Sequence, residues 1–557
     1  MAQEHLDRLT AVDASFLHQE DASSHMHIGA VTLFEGPPPP FVEVAEHIRS
    51  RLHLVPRYRQ KLAYPPFETG RPLWIDDASF NIEYHVRHSA LPAPGTEQQL
   101  QRLAARIASQ QLDRSKPLWE CWFVEGLEDG RYALIFKTHH ALVDGVSGVD
   151  LATVLFDLSP VPQPGAGGSE SAWQPRPEPT NAELLAAGAA GFAKTAFGLA
   201  ERAIVAATNP AAAIDALREI GEGLGEVLWA GLNPAPETPL NVDIGPHRRY
   251  AVVRNRLDDF RYVKSVFGGT VNDVVLAVVS GALARWLRSR GVRTEGLELR
   301  ALVPVSIRPK DQGRALGNQI VLMRGPLPVY IRDPVARLRF VKQQMDGLKE
   351  SKQALGARVI ADVQQMAPPT ILAQASRLQF STRFFNLIVT NVPGPQFPIY
   401  MLGRQMLSFF PIAFLPKGHA LAIAIMSYNG AIDFGLLGDY DALPDIETIA
   451  DGIEDGLAQL RAAARAKEAR AAGARAGGNG SDGAGPAAAV PRPPRRRRPA
   501  TRPAKPAPAS AVTLGGADDG PQLLPSGPGA RGDGPATSMR RRARKRPSTD
   551  GNGDRPA

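Results

Sequence analysis

The chain has 557 residues, a formal net charge of +8, a hydrophobic fraction of 43% and a single cysteine, Cys121. That length suits two or three domains, and one cysteine excludes an intramolecular disulfide framework and fits a reducing compartment. The charge is unevenly placed: residues 461–557 hold 20 Lys and Arg against 7 Asp and Glu, whereas residues 1–460 hold 44 against 49. The opening residues, Met1 to Arg8, carry acids and no apolar core, so secretion is not expected and a cytoplasmic location is. Apolar runs such as Val274 to Ala284 fall far short of the roughly 20 residues that cross a bilayer, so membrane contact is expected to be peripheral.

In chain order, Ala30 to Phe34 reads as a strand, Gln99 to Gln110 as a helix and Tyr132 to Phe136 as a strand. Leu151, Leu155 and Leu158 recur at helical spacing and predict a helix over 150–158. Pro160 to Pro179 is rich in Pro, Gly and Ser and reads as a linker. Thr180-Asn-Ala-Glu183 is a capping box for a helix whose apolar stripe runs through Leu185, Ala189, Phe192, Ala196, Leu199 and Ala203. Asn209-Pro210 stops that helix and starts another, carrying Leu217, Leu224, Leu228 and Trp229, which ends at Asn233-Pro-Ala-Pro236. This pair is either a crossover packed on the body or a lipid-facing surface, and opposite faces can serve both. Beyond it, Tyr250–Arg254, Leu299–Val305, Leu387–Thr390 and Leu421–Met426 read as strands. Asp273–Arg288, Pro334–Gln353 and Ile446–Ala466 read as helices. The body is therefore mixed α/β. Residues 465–557 are rich in Ala, Pro, Gly and Arg, include Arg495 to Arg498 and Arg540 to Arg546, and have too few large apolar side chains to bury a core. They are expected to be a disordered basic arm. It lacks the interleaved aromatics of a nucleic-acid binder, so no nucleic acid is expected and an anionic membrane surface is the partner of choice, at about 1 kcal/mol per basic residue.

Lys137-Thr-His-His-Ala-Leu-Val-Asp-Gly-Val-Ser-Gly148 concentrates the chemistry. A string of the form His-His-x-x-x-Asp-Gly should arise by chance in roughly one chain per thousand of this length and composition. His139 and His140 lie at the end of a strand, where a neutral imidazole can accept a proton on one nitrogen while a hydrogen bond on the other fixes the tautomer. Asp144 can pin the turn through an arginine or an amide, and Gly145 permits a sharp bend. Zinc is disfavoured, because adjacent histidines on a strand point to opposite faces and no Cys-x-x-Cys or His-x-x-x-His companion is present. No Gly-x-Ser-x-Gly elbow exists and Cys121 follows a strand pattern, which argues against a covalent acyl-enzyme.

The dyad string resembles the signature of chloramphenicol acetyltransferases, peptide-synthetase condensation domains and bacterial wax ester synthase/diacylglycerol acyltransferases. The last family is singled out by further segments in the right order. Pro117-Leu118-Trp119-Glu120 resembles its Pro-Leu-Trp motif and Val271-Asn272-Asp273 its Asn-Asp motif. Val303 to Arg308 with Gly317-Asn318, Thr390-Asn391-Val-Pro-Gly-Pro395, and Ser427-Tyr428-Asn429-Gly430 are similar to other family blocks. Leu9 to Phe16 and His25-Met-His-Ile-Gly29 resemble its opening. The resemblance spans residues 5–455.

That resemblance implies two chloramphenicol-acetyltransferase-like α/β lobes, at 1–159 and 241–464. A linker and helical crossover at 160–240 would join them, and the arm 465–557 would follow. It implies an acyl-CoA-dependent O-acyltransferase acting on diacylglycerol or a long-chain alcohol. His140 would be the general base, His139 an orienting residue, Asp144 a structural support and Asn272 a candidate oxyanion donor whose alternative role is in the helix cap. Pro117, Leu118, Trp119 and Gly145 would meet substrate, although a Leu and a Trp after a Pro, as at Leu118 and Trp119, are more often core packing. Ser306 and Arg308 would close a strand, with Arg308 meeting either Asp144 or coenzyme phosphate, and Ser427 and Tyr428 would support the lobe interface. Direct transfer needs no cofactor, acyl-coenzyme A being a substrate. Two alternatives are a carrier-protein-dependent condensation-type enzyme, which a basic docking patch on the body would favour, and a non-catalytic lipid-inclusion protein, which an intact dyad disfavours.

Overall fold

The computed structural model describes residues 7–142, 155–161, 173–190, 193, 197, 208, 233–306, 320–350 and 380–478. The first lobe opens with β1 (Asp7–Arg8), α1 (Ala11–Gln19), β2 (His27–Phe34), α2 (Phe41–Arg51), β3 (Gln60–Ala63) and β4 (Leu73–Asp76). It continues with α3 (Ile82–His85), β5 (Val86–Ala90), α4 (Glu97–Ala108), β6 (Trp119–Glu125) and β7 (Tyr132–His139). Strands β2, β7, β6 and β5 lie side by side in that order, and β1, β4 and β3 form a small separate sheet. Helix α4 is set by Thr96, whose hydroxyl accepts the Gln99 N–H at 3.2 Å while Gln99 caps Thr96 in return. It then lays Leu100, Leu103, Ala104, Ile107 and Ala108 into the core, the i, i+3, i+4 face of an amphipathic helix.

The crossover carries α5, residues 181–190, started by the capping box that the sequence predicts: Thr180 N donates to Glu183 Oε2 at 2.7 Å and Glu183 N to Thr180 Oγ1 at 3.3 Å. Its buried face is one residue away from the predicted stripe. Leu184 and Ala187 pack on Ala63, Leu73 and Ile75 of the small sheet, and Ala189 is exposed. The Ala-rich pattern is degenerate, and the apolar edge of the sheet selects the face. The rest of the predicted pair, and most of the helix predicted over 150–158, lie outside the described residues.

The second lobe contains β8 (Arg248–Arg256), α6 (Leu257–Phe267), α7 (Val271–Ser289), β9 (Leu299–Ser306), β10 (Ile320–Leu327), α8 (Pro334–Glu350) and β11 (Leu387–Pro393). After β12 (Tyr400–Met401) and β13 (Arg404–Ile412) it closes with β14 (Leu421–Tyr428), β15 (Ala431–Asp439) and α9 (Ile446–Gly478). Its sheet runs β10-β9-β11-β14-β15-β8, with β11 parallel to both neighbours. Strands β14 and β15 are buried along their whole length, which is why they are nearly continuous apolar runs. Helix α7 starts at a Thr270–Asp273 capping box and is buried from Asp273 to Ser280, a core helix rather than a span. No single described helix is long and apolar enough to cross a membrane, and α6 with α7, which together pass by composition, are bent by 101° at their junction.

The lobes are not independent. Between β11 and β14 the chain leaves its own sheet, and β13 pairs antiparallel with β2 at the edge of the first. Three anchors from the second lobe hold β13 there: Asp433 Oδ2 accepts Phe409 N–H at 2.9 Å, Tyr250 OH donates to the Phe410 and Pro411 carbonyls at 3.1 Å, and Arg254 donates to Ser408. Gly435 makes the crossing possible, since a Cβ there would sit 1.8 Å from Pro411 O. Helix α9 runs on through residues 465–478, past the boundary set at 464. Tyr262 OH donates to Glu468 at 2.6 Å and Lys467 Nζ to Val266 O at 2.8 Å, so this Ala-rich stretch belongs to the folded body rather than to the arm. Residues 479–557 lie outside the described residues.

Candidate active site

Strand β7 ends at His139, and His140–Leu142 form a 3₁₀ turn. Backbone bonds fix both histidines: His139 N donates to Leu118 O at 3.0 Å and His140 N to Met26 O at 2.8 Å. The register pairs His27 of β2 with His139 of β7, bringing their side chains to one face of the sheet.

His139 is fully buried. Its Nδ1 accepts the Ala141 N–H at 3.0 Å, so the ring proton belongs on Nε2, which faces Glu20 Oε2 at 3.6 Å. Glu20 follows the last turn of α1, and its buried carboxylate also lies 3.1 Å from His27 Nε2 and accepts from Arg114 Nε at 2.8 Å. Burial would raise the Glu20 pKa, but the hydrogen-bonding and charge contributions of His139 and His27 hold it well below the usual carboxylate range. His27 is pushed down to about 3, chiefly by burial, and is neutral at working pH. Sequence reasoning missed Glu20. The one signal was its position between Phe16 and the His25–Gly29 segment.

His140 points elsewhere. Its ring stacks on Phe16 with centroids 3.9 Å apart and 21° between planes, and Phe414 meets it edge-on at 5.6 Å. Phe380 closes the cluster, 6.4 Å from Phe16 and 5.8 Å from Phe414. Burial pushes the His140 pKa down to about 4, with the neighbouring His139 adding to the shift and the residue's own backbone carbonyl opposing it. Nδ1 is buried and has no hydrogen-bond partner among the described residues. That leaves Nε2 of a neutral, half-buried imidazole as the nitrogen able to accept a proton from a ligand. Asp144 and Gly145 lie outside the described residues, as does Arg308.

Beside the dyad, a small cleft between the lobes is lined by His25, His27, Lys137, Arg248, Ile412 and Phe414 among others. Its cations are engaged. Lys137 Nζ donates to the Ile107 and Gln110 carbonyls at 3.1 and 3.0 Å and lies 3.3 Å from Glu120, and Arg248 donates to the Gly245 and His247 carbonyls at 2.6 and 3.0 Å.

Pro117, Leu118 and Trp119 are buried away from that cleft. Trp119 stacks on His85 at 4.6 Å, its Nε1 donates to Tyr58 O at 2.8 Å, and the Leu118 carbonyl supports His139. Of the two roles that the sequence leaves open for these residues, these contacts are those of core packing. Cys121 is buried in the middle of β6 with its thiol pKa raised by burial, a poor nucleophile.

Asn272 is the second residue of α7, and its cap is Thr270 with Asp273 rather than Asn272 itself. Asn391 Nδ2 donates to Asn272 Oδ1 at 3.2 Å, uniting the Asn-Asp and Thr-Asn-Val-Pro-Gly-Pro segments and leaving the Asn272 amide N–H groups for another acceptor. Among the described contacts none joins Asn272 to His140. Ser306 ends β9 as expected. Gln396 Nε2 donates to Ser427 Oγ at 3.1 Å, and Tyr428 OH receives Ile399 N–H at 2.9 Å and donates to Met406 O at 3.0 Å, so both residues brace the departure of β13.

The chain matches the family model "Wax ester synthase/diacylglycerol acyltransferase catalytic domain" over residues 9–275 and "WS/DGAT C-terminal domain" over residues 316–461. It is 33% identical to the probable diacylglycerol O-acyltransferase tgs1 of Mycobacterium tuberculosis over 467 residues, covering 83% of this chain and 97% of that protein. It is also 33% identical to the probable diacylglycerol O-acyltransferase tgs2 of the same organism over 469 residues, covering 82% and 99%. Among solved structures it is similar to a wax ester synthase/diacylglycerol acyltransferase from Marinobacter aquaeolei, with 28% identity, a TM-score of 0.57 and coverage of 82% of this chain and 99% of that one. The fold is also that of a trichothecene 15-O-acetyltransferase from Fusarium sporotrichioides, at 12% identity, a TM-score of 0.52 and coverage of 82% and 96%.

Proposed function

Because the chain belongs to the wax ester synthase/diacylglycerol acyltransferase family, we propose that it transfers a long-chain fatty acyl group from acyl-coenzyme A directly to the hydroxyl of diacylglycerol, with long-chain alcohols as second acceptors. The observation that carries this reading is the His140 imidazole, neutral, half-buried under aromatic rings and with its Nδ1 turned inward. Nε2 takes the proton of the acceptor hydroxyl as its oxygen attacks the thioester carbon. The tetrahedral intermediate then expels the coenzyme thiolate, to which His140 returns the proton. An ester and a free thiol are formed, and neither metal nor redox cofactor enters the balance. Base catalysis of this kind contributes about 10²- to 10⁴-fold. Asn272, with Oδ1 held by Asn391, supplies its amide N–H to the oxyanion, a contribution of roughly 10²- to 10³-fold in comparable sites. The enzyme works in peripheral contact with anionic membrane or lipid inclusions at the cytoplasmic face, the basic residues beyond 478 acting as the tether.

Purified protein is tested with palmitoyl-coenzyme A and, separately, a diacylglycerol, hexadecanol and a monoacylglycerol, following thiol release and product lipid. Acceptor-dependent thiol release with ester formed in equal amount is expected. Absence of release with every acceptor, combined with transfer from an acylated carrier protein, would overturn the donor assignment. For the tether, a chain ending at Gly478 should keep its turnover on detergent-dispersed acceptor but sediment less with anionic liposomes at low salt than the full chain. Equal sedimentation would reject the tether.

A further inference from the structure

We infer that Phe16 is a positioning residue for His140: its ring, stacked face to face on the imidazole, sets the plane of the base and keeps water from it. The inference rests on His140 being the base. Phe16 belongs to α1, which packs on the turn His140–Leu142, whereas Phe414 follows the crossing strand β13 and Phe380 precedes β11. The cover over the base is therefore assembled from both lobes. Among the described rings, Phe16 alone lies parallel to the imidazole, at 21° against 88° for Phe414, and so restrains rotation out of its plane. The backbone cannot do this alone, because the bond from His140 N to Met26 O fixes the Cα while leaving χ2 broad. No described hydrogen bond holds the ring, so the aromatic face is the remaining restraint among the described residues.

The surrounding charged groups do not replace this role. Among the described residues, His139 is the one neighbouring titratable group that adds to the downward shift of His140. On and just beyond α1, Asp13 is engaged by Thr10, His18 has its own partner, and Glu20 is held by Arg114, His27 and His139. Just before β2, His25 bonds Ala22 O, and from the second lobe Lys417 faces Asp21 at 3.5 Å. The low pKa of His140 thus has burial as its main cause, and Phe16 is its closest cover.

The test is a pH–rate profile of the full chain and of Phe16→Ala, Phe16→Leu, Phe16→Tyr and His140→Ala, with melting curves to establish that each is folded. In the wild type, activity should fall on the acid side only near pH 4, where His140 protonates. Phe16→Ala should move that limb up towards the ordinary histidine value of about 6.5 and lower kcat roughly 10- to 100-fold with little change in KM. Phe16→Leu, apolar but without a flat face, should lose kcat while keeping the limb low. Phe16→Tyr, which restores the plane, should recover kcat to within about threefold. A folded Phe16→Leu with wild-type kcat, or a Phe16→Ala with an unmoved limb, would overturn the inference. Full activity in His140→Ala would instead overturn the base assignment on which it rests, so the two failures are distinguishable.

Discussion

Glu20 Oε2 lies 3.6 Å from His139 Nε2, and the opposite nitrogen of that imidazole accepts the Ala141 N–H at 3.0 Å. The carboxylate thereby favours the tautomer that holds the turn carrying His140. Replacing Glu20 by Ala would leave the buried Nε2–H of His139 and the guanidinium of Arg114 without their neighbouring carboxylate. Each unsatisfied buried group costs about 1–3 kcal/mol. The expected outcome is a melting temperature lowered by several degrees and a kcat lowered about tenfold or more, with Glu20→Gln intermediate because its amide oxygen still accepts one bond. Wild-type melting and turnover in Glu20→Ala would show that the network is incidental.

The two histidines should separate on substitution. His140→Ala is expected to remove at least about 99 per cent of thiol release with any acceptor. His139→Ala should retain more activity and lose more stability, since this ring is fully enclosed and serves the turn. Equal loss of turnover in two well-folded variants would undo this division.

Asp433 predicts a pH-dependent stability. It is fully buried, and burial raises its pKa to about 7, with the Phe409 N–H bond and Arg254 opposing the shift. A carboxyl whose folded pKa exceeds its unfolded value contributes stability that is fully present below about pH 4 and lost as pH rises through the folded value. Asp433→Asn keeps an acceptor for Phe409 and removes the titration. Its melting temperature relative to the wild type should therefore climb between about pH 4 and pH 7 and level off above that, and a constant difference across about pH 4 to 7 would exclude the effect.

Trp119 distinguishes packing from substrate lining. Its indole is enclosed by His85 and Tyr58, so Trp119→Ala should cost about 3–5 kcal/mol of stability in denaturant titrations. The order of preference among acyl-CoA chain lengths should stay unchanged for the protein that remains folded. A reordered preference would return Trp119 to the acyl channel.

The legible parts of this molecule were the local ones. The capping box at Thr180, the apolar run of β14 and the position of His139 at a strand end all follow from residues close in sequence, whereas the cap of α7 is Thr270 and not Asn272. What escaped reading depends on distant partners. Glu20 is one carboxylate in no motif, defined only when β2 and β7 align His27 with His139. Strand β13 alternates buried and half-buried residues from Met406 to Ile412, yet its partner β2 lies more than 370 residues earlier, and no local pattern specifies which edge it joins. The face of α5 was displaced by one residue because alanines on both sides gave the pattern little contrast.

That crossing strand sets a timetable for biogenesis. As the chain emerges from the ribosome, β2 and β7 are available early, but the open edge of β2 stays unpaired until residues 404–412 arrive, and Phe414 of the aromatic cover comes later still. For most of synthesis the nascent first lobe therefore exposes a bare strand edge, a template for pairing with other chains. The base is not fully enclosed until the second lobe has reached across, so a truncated product carrying the complete dyad would be an aggregation hazard rather than a partial enzyme.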